Sequence, residues 1–534
     1  MSKIFTTNPV RKPRKNAFNL SHEVKMSLNM GDLVPILCQE VIPGDRFRVN
    51  TEMAMRLAPM IAPVMHRVNV FTHYFFVPNR LVWDDWKDFI TGGKDGTARP
   101  TFPRIMIGKD EPYWPNVFKP GSLADYLGYP VMKGPARADT YVSSLPFRAY
   151  QLIYNEYYRD QNLVDEIKFP TTSSLTTTST PDSLTIPILR KRSWEKDYFT
   201  SALPWPQRGN DISIPIAQMG DIPIRLDQNA LETQTFRSDS ITDTGEYPVE
   251  FQTDSQEGSL QFKDQGQNPR NIYFNPGESL YGDASGGISS ATINELRRAF
   301  ALQKWEEINA RGGSRYIEQI LAHFGVRTPD YTLQRPQFLG GGKTPVVFSE
   351  VLQTSSSDES SPQGNMAGHG ASVGNTHQFS HFFNEHGFII GIMSILPRTA
   401  YQQGIEKQFV KFDRFDYYFP TLAHLGEMPV KNKELYYDFD NPEWNDGDFG
   451  YQPQYTDYRF KLSTVHGDFR DSLSFWHMGR IFTGPPKLNG DFVTSNPTTR
   501  IFAVQDNSVQ KIYVQLYHNV KAIRPVSRYG LPGI

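Results

Sequence analysis

The sequence predicts a mainly β fold, a jelly roll or sandwich with large insertions between its strands. The candidate strands are irregularly spaced along the 534 residues, and neither a strand–helix alternation nor a fixed-period repeat connects them. Glycine and proline contribute 40 and 39 residues, which favours many turns and loops. By area scaling, a chain of this length buries about three-quarters of its unfolded surface, so its core needs neither disulfides nor metals.

The first part of the predicted sandwich occupies residues 21–165. Residues 64–77 alternate in side-chain type and have two partly apolar faces, which predicts a strand inside a sheet. Residues 146–162 place aromatic side chains at helical spacing. Such a stripe is far more often packed in a core than used for a ligand, so we predict a buried helix there.

The next segment, residues 166–290, differs in composition from both flanks. It contains the low-complexity string TTSSLTTTST at 171–180, and its part 221–290 holds twelve acidic and four basic residues, a net charge of 4 − 12 = −8. Turn signals such as Asn275-Pro276-Gly277 recur within it. An acidic, loop-rich block between two patterned halves indicates an insertion that projects into solvent.

The last segment, residues 291–534, begins with the clearest helical signals and then returns to strands. Thr292 and Glu295 fit a capping box, and two amphipathic helices separated by Gly312-Gly313 are expected before Gly325. Strands are predicted after these helices at 388–396, 410–419, 501–504 and 512–517.

Charge is balanced over the whole chain but not at its two ends. With 55 basic and 57 acidic residues the formal charge is −2, which excludes a wholly basic nucleic-acid binder. Residues 1–20 nevertheless carry +5, and the residues after Asp506 carry +4, with no acid in either segment. The N-terminal segment is therefore either a solvated terminus or an arm that lies along phosphates. The candidate phosphate contacts are Lys3, Arg11, Lys12, Arg14, Lys15, Lys521, Arg524 and Arg528.

None of the strings that match a catalytic motif has the flanking sequence or the partner motifs that its function requires. The string GASVG at 370–374 matches a nucleophile elbow, but the polar sequence before it cannot form the buried strand that this motif requires. The string GGGKT at 340–344 lacks the first glycine of a phosphate-binding loop, and DFG at 448–450 stands without the other kinase motifs. Three histidines have a spacing that suits zinc only on a helix, although their segment runs into a predicted strand: His377, His381 and His386.

These observations predict a protein without a catalytic residue, a metal site or a cofactor. The 57 acidic residues leave one alternative open, a β-sandwich carbohydrate-active enzyme or binding module whose carboxylate pair forms only in space. Cys38 is the only cysteine, which excludes an intrachain disulfide and favours a reducing compartment. Because the N-terminus has no apolar signal region and the longest apolar run, 387–396, is too short to span a bilayer, we expect a soluble, cytoplasmic product.

Several unusual strings occur together along the chain. They are NAFNLSHE from Asn16, EVIPGD from Glu40, RLAPM from Arg56, FFVPNR from Phe75, ARGGSRY from Ala310, AHFGV from Ala322, LQRP from Leu333, YQQG from Tyr401 and HLGE from His424. In the sequence of these strings and in their order, the chain resembles the major capsid proteins of microviruses, which are small icosahedral phages with single-stranded DNA. Among microviruses it resembles the gokushovirus branch most. The resemblance covers most of the chain, and 166–290 departs from it most.

The resemblance implies a viral-capsid jelly roll of eight antiparallel strands, with long insertions and a few helices, assembled as 60 copies on a T=1 icosahedral lattice. It divides the chain into a basic arm facing the genome (1–20), the first part of the tile (21–165), the insertion (166–290), and a helical segment with the rest of the tile and a basic tail (291–534). The insertion would form a protrusion at the threefold axis and contact a host receptor. The expected location is the virion, after synthesis and assembly in the cytoplasm of a bacterial host.

The positive charge of the two basic ends is too small to neutralise the phosphates of a genome. Their nine basic residues give 9 × 60 = 540 positive charges per shell, whereas a genome that encodes only this chain needs about 3 × 534 ≈ 1,600 nucleotides. We therefore expect a small basic packaging protein, polyamines or metal ions as further partners, and a minor pilot or vertex protein beside them. The candidates for stacking on unpaired bases are Phe5, Phe18, Tyr513, Tyr517 and Tyr529.

Overall fold

Strands are the main regular structure of the chain. The structure is a computed structural model. It describes residues 14–180, 185–209, 212, 224–226, 237–238, 261–263, 269–273, 280–282, 293–352, 366–375, 378–506 and 508–529. The strands within these residues are β1 (Asn16–Asn19), β2 (His22–Leu28), β3 (Val34–Val41), β4 (Arg46–Leu57), β5 (Val68–Pro78), β6 (Arg104–Ile107), β7 (Thr140–Ser143), β8 (Leu175–Thr176), β9 (Ile224–Leu226), β10 (Arg237–Ser238), β11 (Gln261–Lys263), β12 (Pro269–Tyr273), β13 (Leu280–Gly282), β14 (Gln337–Pro345), β15 (Val347–Leu352), β16 (Met366–Asn375), β17 (Phe379–Phe382), β18 (Gly387–Pro397), β19 (Glu427–Lys431), β20 (Asp448–Pro453) and β21 (Ile512–Arg524).

The helices of the described residues are mostly short. None of them combines the length and hydrophobicity that crossing a bilayer requires. They are α1 (Trp86–Thr91), α2 (Trp114–Val117), α3 (Leu123–Tyr126), α4 (Leu145–Ile153), α5 (Ile293–Gly312), α6 (Tyr316–Phe324), α7 (Asn432–Leu435), α8 (Pro442–Asp446) and α9 (Gly490–Val493).

Two antiparallel sheets face each other in a sandwich. In the seven-stranded sheet, neighbours follow the order β1-β21-β4-β16-β15, while β2 also pairs with β21 and β17 also pairs with β4. The four-stranded sheet has the order β14-β5-β18-β3. Because β1 and β2 pair with the last strand, the two ends of the chain meet in the seven-stranded sheet.

The burial of the strand residues shows which face of the sandwich is exposed to solvent. Residues of β4 and β21 alternate between buried and exposed, and their buried side chains form one core with side chains of β3, β5 and β18. β5 and β18 are buried along almost their whole length, because a second core that includes α3 and α4 covers their other face. The four-stranded sheet is therefore the middle layer. The seven-stranded sheet keeps its outer face open to solvent.

A polar chain of hydrogen bonds crosses the buried space between the two sheets. Tyr74 on β5 donates its hydroxyl to Thr51 on β4 at 2.6 Å, and Thr51 lies 2.8 Å from Nδ1 of His518 on β21. Nε2 of His518 lies 2.9 Å from the carbonyl oxygen of Ile36 on β3, which only accepts, so Nε2 carries the proton. Burial lowers the pKa of His518 to about 4, with the nearby His22 as a smaller cause, so the ring is neutral at pH 7.

The predicted fold class is confirmed: the chain is mainly β, with antiparallel sheets and few helices. β5, β18 and β21 lie in three of the segments predicted as strands, and α4 lies in the predicted aromatic helix. Gly325 ends α6 with φ 68°, as its sequence position predicts. The number of eight strands stays a prediction, because β1 and β2 share one edge of β21, and β16 and β17 share one edge of β4.

Two predicted strands are wrong. Residues 410–419 form turns, because Oδ2 of Asp416 accepts hydrogen bonds from the backbone N–H of Phe412 and Asp413 and folds the segment back on itself. Residues 501–504 form a turn in which Phe502 makes one isolated bridge to Met60. Both segments have apolar residues in a strand-like order, but within the described residues neither is paired with another strand along its length; 501–503 is joined to 59–61 by two backbone hydrogen bonds.

The chain divides into two compact units, Gly209–Glu306 and the remainder. Residues 185–208 belong to the larger unit, in which Ile186, Trp194 and Phe199 are buried. Most of the acidic segment 221–290 lies outside the described residues, and the strands described there pair as β10-β12-β11 and β13-β9. The predicted position of the insertion at a threefold axis stays a prediction.

Candidate nucleic-acid interface

The outer face of the seven-stranded sheet carries a group of cations. Successive residues of a strand point to opposite faces, so the buried Phe47 and Val49 place Arg46 and Arg48 of β4 outward. On β21 the buried Val520 and Ala522 place Lys521 outward in the same way. We call the three exposed side chains Arg46, Arg48 and Lys521 the cationic face.

The register of the sheet brings these like charges together. Lys521 stands directly opposite Arg48, and Ile523 stands opposite Arg46. Side chains directly opposite each other have Cβ atoms about 4.5–5.5 Å apart, and like charges in that position destabilise a sheet. Among the described residues, no carboxylate lies within 4 Å of a charged nitrogen of the cationic face. An anion bound across these strands would relieve the repulsion.

The two basic ends of the chain converge beside the cationic face. Asn16 pairs with Arg524, and Nδ2 of Asn16 donates a hydrogen bond to the carbonyl oxygen of Val526 at 2.8 Å. Nζ of Lys15 donates to the carbonyl oxygen of Gly44 at 2.6 Å and stands 4.7 Å from the centre of the Phe382 ring. Since Phe382 is paired with Arg46, the exposed Lys15 extends the cationic face at one corner of the sheet.

Arg524 has a structural partner at the same corner. Its guanidinium forms an ion pair with Asp45, whose side chain is completely buried, at 2.9 Å between Nη2 and Oδ2. Oδ2 of Asp45 also accepts the backbone N–H of Ile42 at 3.0 Å. Arg524 therefore fixes the turn between β3 and β4.

The structure describes only part of the residues predicted to bind DNA. Lys3, Arg11, Lys12 and Phe5 lie outside the described residues. Arg14, Lys15, Lys521 and Arg528 are exposed, as are three of the predicted stacking residues, whereas Phe18 is half-buried. Tyr513 and Tyr517 lie on the same outer face and on the same strand as Lys521, and Tyr529 follows that strand.

Sequence reasoning missed Arg46 and Arg48. Their signal was present, because β4 begins with the string RFRV, in which basic and apolar residues alternate. The basic segments that the sequence alone reveals lie at the two ends of the chain, where no acid intervenes. The pairing of Arg48 with Lys521 joins residues more than 470 positions apart, and no local pattern indicates it.

The structure places the motifs that were rejected as catalytic in ordinary strands, and it gives the buried acidic residues partners within the fold. The GASVG string lies within β16, and His381 lies on β17, where helical spacing does not apply; His377 lies outside the described residues. No group of three or more His, Cys, Asp or Glu in the described chain is placed to hold a metal ion.

Of the buried carboxylates, Asp197 accepts a hydrogen bond from the hydroxyl of Tyr401 at 2.7 Å, and Glu434 accepts one from the hydroxyl of Tyr198 at 2.8 Å. Burial is the main reason that the pKa of Glu434 is raised.

The family model and the known proteins to which this chain is similar are those of viral capsid proteins. A family model described as "Capsid protein (F protein)" matches residues 6–534. The chain is 37% identical over 596 aligned positions to capsid protein VP1 of Chlamydia phage 1, which covers 100% of this chain and 98% of that protein. It is 36% identical to VP1 of Bdellovibrio phage phiMH2K and 31% identical to VP1 of Spiroplasma virus 4, each covering 97% of this chain and 95% of the relative.

Proposed function

Because this chain belongs to the capsid protein (F protein) family, we propose that 60 copies of it close into a T=1 shell around single-stranded DNA. Its structural role in a capsid follows from the family itself, and the predicted resemblance to microvirus capsid proteins is confirmed by the relatives. The sandwich supplies a stiff tile, since two cores fix its middle sheet from both sides. On a closed lattice each tile contacts several neighbours, so many modest contacts add up to a stable shell.

The cationic face is the surface that we propose for the DNA. The pairing of Lys521 with Arg48 is the observation that carries this assignment, because two directly opposed cations repel each other and an anion bound between them removes this repulsion. Phosphates of a single strand supply that charge without any need for sequence recognition. Tyr513 and Tyr517 on the same outer face offer aromatic rings on which unpaired bases stack.

The charge balance still requires a further cationic partner. Adding Arg46 and Arg48 to the nine basic residues of the two ends gives at most 11 × 60 = 660 positive charges per shell, since Arg524 is already paired with Asp45 and Lys511 is buried. This number remains far below the roughly 1,600 phosphates of a genome that encodes only this chain. A small basic packaging protein, polyamines or metal ions would neutralise the rest, and a minor pilot or vertex protein is a second expected partner.

The remaining roles follow from the same assignment. The insertion would contact the host receptor on the outside of the virion, and the protein would be made and assembled in the bacterial cytoplasm. We propose no catalytic activity and no cofactor. The alternative of a carbohydrate-active sandwich is disfavoured, because the family model and the similar proteins are those of capsid proteins.

The test is the salt dependence of DNA binding by a variant that lacks the cationic face. Binding of a single-stranded oligonucleotide is measured by fluorescence anisotropy at several salt concentrations for the chain with Arg46→Ala, Arg48→Ala and Lys521→Ala. With about 0.7 lost per phosphate contact, the slope of log K against log salt should flatten by roughly 2.

The matched control removes three exposed cations that lie elsewhere, with Lys87→Ala, Lys94→Ala and Arg99→Ala. This control should keep the slope of the parent chain. Replacing Arg46 and Arg48 by Lys should also keep it, because the charge is retained. An unchanged slope in the first variant, or an equal loss in the control, would rule out the cationic face as the DNA surface.

A further inference from the structure

A second surface of the larger unit exposes aromatic side chains instead of cations. Eight aromatic side chains between residues 409 and 458 are exposed, with 88% of Phe412 and 68% of Phe409 accessible to solvent. Six of them lie within 409–418 or, like Tyr458, pack beside that segment. Monomeric proteins seldom leave so many large apolar groups in one segment open to water. We call this surface the aromatic belt, and its six residues are Phe409, Phe412, Phe415, Tyr417, Tyr418 and Tyr458.

The aromatic belt is held in place although it contains neither strand nor α-helix. The Tyr418 ring lies 5.0 Å from that of Tyr455 and 6.0 Å from that of Tyr458, between ring centres. The buried Tyr455 donates its hydroxyl to the carbonyl oxygen of Tyr417 at 3.3 Å. Nζ of Lys411 stands 3.9 Å from the centre of the Tyr458 ring. A surface ordered in this way loses little conformational entropy when a partner covers it.

The area of the aromatic belt suits a stable protein interface. Applying the exposed fractions of its six rings to roughly 150–250 Å² per aromatic side chain gives about 550–900 Å². A standard interface buries about 800 Å² on each partner. Aromatic side chains are also the residues most enriched at the centres of such interfaces.

The charged residues beside the aromatic belt indicate whether a protein or a DNA strand covers it. Three of the cations next to the aromatic belt are neutralised within the chain, since Lys411 pairs with Asp457, Lys461 with Glu406, and Lys407 with Glu434. Among the described residues Arg414 has no such ion pair, and its guanidinium lies 4.8 Å from the centre of the Phe415 ring. The Lys411–Asp457 pair is almost buried, with 5% and 12% of the two side chains exposed. A strand of DNA would find rings here but few free charges for its phosphates, in contrast to the cationic face.

We propose that the aromatic belt packs against a second copy of this chain in the assembled shell. The inference rests on the proposed self-assembly and adds the surface through which one tile holds its neighbour. The rings would lie at the dry centre of the contact. The paired charges around them would form its polar rim.

The first experiment changes the exposed rings and measures assembly. Phe412→Asp with Phe409→Ser should leave the fold of the chain intact, as judged by circular dichroism, because both side chains are exposed. It should raise the protein concentration needed for half-assembly at least about tenfold, as removal of an interface centre does. The matched control Phe412→Leu keeps an apolar side chain and should assemble like the parent. Normal assembly of the Asp variant would overturn the proposal.

A second measurement needs no variant. Hydroxyl-radical labelling of Phe409 and Phe412 is compared between dissociated chains and shells of the parent protein, prepared with and without DNA. Labelling should fall about tenfold in both kinds of shell. Unchanged labelling in intact shells would overturn the proposal while the shell itself stands, and protection only in DNA-filled shells would assign the aromatic belt to DNA. If the parent chain forms no shell under any condition, the proposed self-assembly fails, and this inference fails with it.

Discussion

The buried histidine between the two sheets makes the stability of the tile depend on pH. In the folded chain the pKa of His518 is lowered from 6.5 to about 4, mainly by burial. A histidine with a depressed pKa binds fewer protons when folded than when unfolded, so stability is lost as the pH falls from about 6.5 towards 4. Protonation would also give Nδ1 a proton and end its acceptance of the Thr51 hydroxyl.

The size of the effect follows from the two pKa values. At pH 4.5 an unfolded histidine with pKa 6.5 is almost fully protonated, whereas one with pKa about 4 is protonated to about a quarter. The linkage relation converts this difference into about 2.5 kcal/mol of lost stability relative to pH 8. That amount is a substantial part of the 5–15 kcal/mol by which native proteins are typically stable.

The assay compares the unassembled chain with the variant His518→Gln. Glutamine keeps one donor and one acceptor for Ile36 and Thr51 but does not titrate. The loss of unfolding free energy between pH 8 and pH 4.5, measured by urea denaturation with tryptophan fluorescence, should be about 2.5 kcal/mol smaller in this variant. The control His466→Gln changes an exposed histidine and should leave the pH dependence as it is. An equal pH dependence in His518→Gln and the parent would refute the reasoning.

Three further predictions concern the ends of the chain and its insertion. Asp45→Asn leaves Arg524 without its buried charged partner and should lower the free energy of unfolding by about 2–3 kcal/mol, whereas Asp446→Asn, which changes an exposed carboxylate paired with Lys433, should leave it almost unchanged. Replacing the arm residues Arg11, Lys12, Arg14 and Lys15 by Ala should flatten the salt slope of DNA binding by roughly 3, measured by anisotropy, and a parent-like slope would make the arm a plain tail. Replacing 210–305 by a short Gly/Ser linker should leave a soluble, folded tile, because the three buried clusters of the described chain contain no residue of that range and Gly209 lies beside Glu306; insoluble protein would place the segment in the core.

Local patterns predicted β5, β18 and β21, but neither β3 and β4, which share their core, nor the contacts that bring the site together. β21 was predicted because its side chains alternate with period two, and this alternation requires only one buried face. The pairing of Lys521 with Arg48 depends on the register between strands far apart in sequence, so it is settled by the packing of the whole sandwich. The convergence of Lys15 and Arg524 on one turn has the same origin.

The wrong strand at 410–419 has an instructive cause. Its aromatic residues fit a strand by propensity, yet propensity in strands mainly reflects packing against neighbouring strands. Here Asp416 bonds the backbone of its own segment, which competes with pairing, and the rings remain exposed. The same exposed rings are the basis of the proposed contact between tiles.

The mass of the particle formed by the purified chain tests the central claim most directly. Mass photometry or sedimentation of the nuclease-treated protein should give a single closed species near 60 × 61.0 kDa, or about 3.7 MDa. A stable species that remains at 61 kDa under all assembly conditions would contradict the account of this chain as a tile.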